Sequence, residues 1–141
     1  MRFEYSILSF PKDPSGYRAI TETDGRVLLS IDEAVFLELE DILILEFAYY
    51  VESWLRNTQA NEVMSFYYSS MDEEEEPLLA LDRLEGRSFR ARSCWSDATS
   101  RELSYSEIES CFTDFIASIR NRLQNSFHYN FDEARRAFRN E

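Results

Sequence analysis

Phe3, Tyr5 and Ile7 alternate with Arg2, Glu4 and Ser6, the period of two of a half-buried strand, which predicts a strand over residues 2–10. Pro11, Asp13, Pro14 and Gly16 then mark a loop. Residues 17–23 read as a second strand, Asp24-Gly25 as a hairpin turn in which Gly supplies the positive φ, and residues 26–31 as a third strand. Phe36, Leu39, Leu43, Phe47, Tyr50 and Trp54 recur at steps of three and four, one face of a helix. Asp32 or Asp41 could cap that helix. Because residues 34–39 also alternate, the expected helix is 41–57, with 34–39 extended or forming a loose first turn.

Residues 62–95 carry three further strand patterns, over 62–69, 77–83 and 87–95. Met64, Phe66 and Tyr68 share one face of the first, and Phe89, Ala91, Ser93 and Trp95 one face of the third. The second is apolar on both faces and is expected to lie inside the sheet. Arg90 and Arg92 are expected to point away from the helices. Ser104 and Glu107 have the spacing of a capping box, with Leu103 and Ile108 as its staple, and open a helix over 104–125. A second box, Asn130 with Glu133, starts a short helix carrying Ala134 and Phe138 on one face. The fold class expected is α+β: a mainly antiparallel sheet of five to six strands, two longer helices packed on it and a short C-terminal helix, in a single domain over 1–141.

Composition supports a folded core. Hydrophobic residues make up 44% of the chain and aromatics 15%, and a domain of this length buries roughly 68–70% of its unfolded surface. The net charge is −12, and it is uneven: residues 1–82 hold 18 acids and 5 bases, residues 83–141 hold 9 and 10. Such a balance repels phosphate backbones and anionic lipid, so nucleic acid and membrane are not expected as partners, whereas a basic protein is. Cys94 and Cys111 have no metal-type spacing and read as buried thiols in a reducing compartment. The opening residues alternate like a strand rather than forming a secretory leader, and the expected location is the cytoplasm.

No motif spells out a reaction. His128, the one histidine, sits between two helical segments with no nucleophile placed beside it. Glu38 and Glu46 lie near apolar stretches, but nothing pairs them as acid and base. Asp72, Glu73, Glu74, Glu75 and Glu76 offer hard oxygen ligands. Consecutive side chains on an extended loop diverge, however, and the run lacks the alternation and the Gly of a calcium loop. A solvated connection or a partner-recognition element is the expectation. No catalytic, cofactor or metal residue is assigned. Tyr67 and Tyr68 guarantee that one Tyr leaves the core face, and an exposed Tyr beside an acidic rim has the character of an interface anchor. The partner-binding candidates are therefore Tyr67, Tyr68, Asp72, Glu73, Glu74, Glu75 and Glu76.

The order of these features resembles small bacterial immunity proteins that accompany polymorphic or contact-dependent toxins. The resemblance rests on residues 47–95: a helix ending in Trp54-Leu55, a strand with Phe66-Tyr67-Tyr68, the acids, Glu76-Pro77-Leu78-Leu79, and a strand closing on Ser93-Cys94-Trp95. A capped helix at Ser104 follows. The resemblance implies a single-domain inhibitor, made in the toxin producer's cytoplasm, that blocks a basic toxin domain by direct contact. Two other readings fit the residues: a non-catalytic acidic binding or regulatory module, and an enzyme whose site is assembled from scattered carboxylates and arginines.

Overall fold

The alternation at the N-terminus makes β1 (Arg2–Ile7), which pairs antiparallel with β2 (Asp24–Ile31). The computed structural model describes residues 1–139, and the side chains of all of these except Ala134 and Arg139. Between the two strands runs a four-residue helix, α1 (Arg18–Thr21), where a strand was expected. Ala19 and Ile20 are buried side by side, which a strand facing one core does not allow. Asp13 holds the approach by accepting from the Arg18 guanidinium at 2.6 Å and from the Ser15 N–H at 3.1 Å.

β2 pairs antiparallel with β3 (Ala34–Leu43), completing a three-stranded sheet in the order β1-β2-β3. The hairpin turn is Asp32-Glu33, both at positive φ (54° and 66°), not Asp24-Gly25. Gly25 instead lies within β2, where a Cβ would stand 2.7 Å from Ile44 Cβ and 2.8 Å from the Ser6 carbonyl oxygen. Its small size, not a turn, is what the position requires. β3 also runs further than expected. Asp41 (φ 49°) sits in a β-bulge opposite β2 and caps nothing.

The first long helix, α2 (Ile44–Ala60), therefore starts three residues later than expected. No side chain caps it; its first free N–H, that of Ile44, bonds instead to the Thr23 carbonyl at 3.2 Å.

The expected single sheet is two. β4 (Phe66–Tyr68), β5 (Leu79–Arg83), β6 (Ser88–Arg92) and β7 (Glu102–Ser104) form a separate antiparallel sheet in that order, giving three and four strands in place of five to six together. β5 is interior to it, as its two apolar faces predicted. Four strands are shorter than their patterns: β1 ends at Ile7 instead of residue 10, β5 starts at Leu79 instead of residue 77, and β4 and β6 also fall short. Residues 62–65 precede β4 without joining it, and Met64, expected on the same face as Phe66 and Tyr68, is exposed while those two are buried. β6 ends at Arg92, after which a Ser93–Ser96 bridge turns the chain and puts Trp95 outside.

Arg90 points outward as expected. Arg92 is taken up by Asp82, with Nε and Nη2 at 2.6 and 3.3 Å from the two carboxylate oxygens.

α3 (Tyr105–Phe127) has both halves of the predicted capping box: the Ser104 hydroxyl accepts from the Glu107 N–H, and the Glu107 carboxylate accepts from the Ser104 N–H. It ends at His128, left-handed at φ 52°, with the Tyr129 N–H on the Leu123 carbonyl. The lone histidine is thus an exposed helix terminator. α4 (Phe131–Arg139) follows. The Asn130 side chain caps it by accepting from the Asp132 N–H at 2.9 Å, while the Glu133 N–H bonds to the Asn130 carbonyl. Phe138 packs on Tyr49 and Tyr50, but whether Ala134 shares its face lies outside the described side chains.

α2 and α3 pack together and carry the inner faces of both sheets, and one continuous core results. Phe112 shows how. Its ring meets Phe3 of β1, Trp54 of α2 and Phe66 of β4 at centroid distances of 5.7, 5.2 and 5.2 Å. On the surface Arg101 ties the two halves. Its guanidinium bonds Asp32 of the β2–β3 turn (2.6 and 2.9 Å) and Glu107 at the start of α3 (2.7 and 3.3 Å).

Arg101, and then the Ser104 N–H and hydroxyl, pull the Glu107 carboxyl from its ordinary 4.5 down to about 2. A carboxyl lowered on folding stabilises fully above its unfolded value and loses that contribution as pH falls from 4.5 toward 2. With solvent screening, the expected contribution is about 1 kcal/mol. Arg101→Ala should remove most of it, flattening the pH dependence of urea unfolding in that window. An unchanged profile would show that the ion pair adds nothing.

Candidate protein-binding surface

A buried acid positions the acidic loop. Glu46 lies in the first turn of α2, where a negative charge suits the helix dipole, yet it is almost wholly buried. One carboxylate oxygen accepts from the Tyr68 hydroxyl at 2.9 Å and the other from the Met71 N–H at 3.2 Å. Burial, and then this carboxylate, push the Tyr68 phenol far above its ordinary range.

Beyond Met71 the Ser70 hydroxyl accepts from the Asp72 N–H at 3.1 Å, and the Ser70 carbonyl from the Glu73 N–H at 3.3 Å. On the returning side Leu78 N–H bonds to the Tyr68 carbonyl and Cys94 N–H to the Pro77 carbonyl, at 2.9 and 2.8 Å. Both feet of the loop are pinned, and residues 72–76 stand exposed between them.

The candidates separate accordingly. Tyr67 is exposed, and its hydroxyl donates to Glu76 at 3.2 Å; partial desolvation first, then Glu76, raise the phenol. Tyr68, assigned with it to the partner surface, is instead in the core and works from beneath, as the Glu46 ligand. Among the described residues none of Asp72, Glu73, Glu74, Glu75 or Glu76 enters an ion pair. By contrast the carboxylates of Asp13, Asp32, Glu38, Glu52, Asp82, Glu107 and Asp132 are each matched by an arginine. The loop is thus a negative surface that nearby cations leave open.

Large apolar side chains are exposed in the segments before and after it. Met64 (52% exposed), Met71 (56%), Tyr67 (45%) and Trp95 (38%) all reach solvent. Cys94, expected buried, is exposed on the same side. Partial desolvation and the nearby Glu75, Glu73 and Glu76 raise its thiol. Cys111 is buried as expected.

Tyr50, Trp54, Met64, Tyr67 and Phe138 line an open, mainly apolar groove of about 380 Å³. The Trp54 indole N–H donates to the Met64 carbonyl at 2.8 Å, fixing one wall.

Neither the groove nor Glu46 was assigned from sequence. Glu46 had one usable signal, an acid on the buried stripe of α2, three residues before Tyr49. Glu38, considered beside it, pairs with Arg26 on the outer face of the first sheet. Among the described residues no group of three or more His, Cys, Asp or Glu side chains is placed to hold a metal ion, and no helix is long and apolar enough to cross a membrane.

Residues 3–125 match DUF7878, a domain of unknown function. The chain belongs to the DUF7878 family. The matched span takes in both sheets, α2, the acidic loop and nearly all of α3, and ends before α4. The family description assigns no activity or partner. Comparison with curated proteins and comparison with solved structures each found no match. In this DUF7878 chain, then, most of the groove comes from the matched domain and Phe138 from beyond it.

Proposed function

We propose that this protein is an immunity protein, which neutralises a cognate bacterial toxin domain by direct protein–protein contact. The observation that carries the reading is the acidic loop. Five exposed carboxylates, none of them in an ion pair among the described residues, stand beside Tyr67 and Met71, on a loop whose two feet are hydrogen-bonded to the core. Unpaired surface charge steers an oppositely charged protein and raises its association rate, and aromatic and methionine side chains exclude water once contact is made. A basic, nuclease-like domain has the complementary charge. The resemblance over residues 47–95 points the same way, and implies the producer's cytoplasm as the location. The reading needs no catalytic residue, cofactor or metal in this chain, because inhibition follows from occupying the toxin's surface.

A co-expression survival assay tests it. The toxic domain encoded by the neighbouring upstream gene is induced in a host with and without this protein. Survival should be restored, and the pair should co-purify in a salt-sensitive manner. Replacing Glu73, Glu74, Glu75 and Glu76 together with Ser should slow association by about tenfold or more, while changing stability by no more than about 0.5 kcal/mol. Toxicity without rescue would sink the immunity reading and favour an acidic binding module with another partner.

A further inference from the structure

The groove and the acidic loop are contiguous. Tyr67 forms part of the groove wall, and its hydroxyl ends on Glu76 of the loop. Apolar walls next to uncompensated carboxylates call for a ligand with both properties. An apolar side chain alone would leave the carboxylates unmatched, and a cation alone would leave the groove walls wet. Two of the depressions flanking β1 are different, being mainly polar and lined by such residues as Tyr5, Ser6 and Ser118.

We propose that the groove seats one apolar side chain of a basic segment of the partner protein, whose Lys and Arg side chains lie over residues 72–76, and that Phe138 sets which apolar side chain is accepted. The proposal rests on the reading above that the acidic face meets a basic protein.

Phe138 has this role because of where it comes from. Tyr50, Trp54, Met64 and Tyr67 belong to the matched domain, and three of them are held by other contacts. Trp54 donates to Met64, Tyr67 donates to Glu76, and Tyr50 packs edge-on to Tyr68. Phe138 reaches the groove from α4, outside the matched span, and is only partly buried. Its α4 anchor is the Phe131 ring on Tyr49, at 4.6 Å, together with Arg135 on the buried Glu52, at 2.9 Å. A change at position 138 alters the width of the groove and leaves those anchors in place.

The test uses the full chain and short synthetic peptides in which Leu, Phe, Trp or Ser is flanked by Lys and Arg. Binding is followed by NMR at the Met64 and Met71 methyl groups and the Trp54 indole N–H. The Leu and Phe peptides should shift Met64 and Trp54 and bind about tenfold or more tightly than the Ser peptide. Glu in place of the flanking bases should abolish binding.

Met64→Lys, at an exposed position, should abolish binding with no change in melting temperature. Phe138→Ala should move the preference toward the larger Trp peptide. Binding that ignores the central residue, shifts elsewhere on the surface, or no binding by any of the basic peptides would overturn the proposal. The survival assay keeps the two ideas apart. Rescue by the Met64→Lys variant as complete as by the wild type sinks the groove and leaves immunity standing. Failure of rescue with peptide selectivity intact sinks immunity and leaves the groove.

Discussion

Glu46→Ala is expected to lower the free energy of unfolding by about 3–4 kcal/mol, a large share of the roughly 5–15 kcal/mol that holds a domain together. Two donors lose their acceptor at once. The Tyr68 hydroxyl and the Met71 N–H both end on this carboxylate, and Tyr68 is fully buried. A buried donor without an acceptor costs about 1–3 kcal/mol, and the cavity left by the side chain adds to it.

Glu46→Gln should cost about half as much, since one oxygen still accepts while the amide nitrogen faces a donor. Urea unfolding measures both. Hydrogen exchange at the Met71 amide adds a local readout: its protection should fall in the alanine variant more than that of the β5 amides. A loss under about 1 kcal/mol, with Met71 still protected, would mean that the carboxylate does not hold the loop.

Phe112→Ala should cost about 3–5 kcal/mol, at the upper end for a buried aromatic. Its ring touches β1, α2 and β4 together, so its loss leaves a cavity bounded by parts of both sheets. The same geometry predicts a single unfolding transition, in wild type and variant alike. Probes in the two sheets should lose their signals at one urea concentration. Two separated transitions would show that the sheets are independent units and that the shared core couples them weakly.

The elements were legible wherever periodicity was local. β1, β5 and α3 follow directly from alternation, a doubly apolar run and a capping box. The pairing of strands was not legible, because alternation identifies a buried face without naming the neighbour. Two sheets and one sheet leave the same pattern in the chain. The other errors have particular causes. Asp24-Gly25 has turn chemistry, but Gly25 is there for Ile44, a contact between elements that adjoining residues do not reveal. The true turn, Asp32-Glu33, contains no glycine, and Arg101, far along the chain, holds Asp32. The acidic loop could be seen as a charge run. Its anchoring by Glu46, and the groove that Phe138 helps to close, depend on contacts between segments far apart in sequence.

The sharing of α3 between the two sheets bears on how the chain folds as it leaves the ribosome. The first sheet is complete by Leu43, and its β1–β2 and β2–β3 pairings form between nearby segments. Its apolar face is a different matter, since Phe3 packs against Phe112 and Phe115, and the Tyr5 and Ser118 hydroxyls that share a hydrogen bond are 113 positions apart. At a synthesis rate of roughly 5–20 residues per second, that face waits several seconds for the part of its cover that α3 supplies. A nascent chain stalled before α3 therefore carries a finished sheet whose hydrophobic side is covered by α2 alone, the form in which this protein is most open to chaperones and to aggregation.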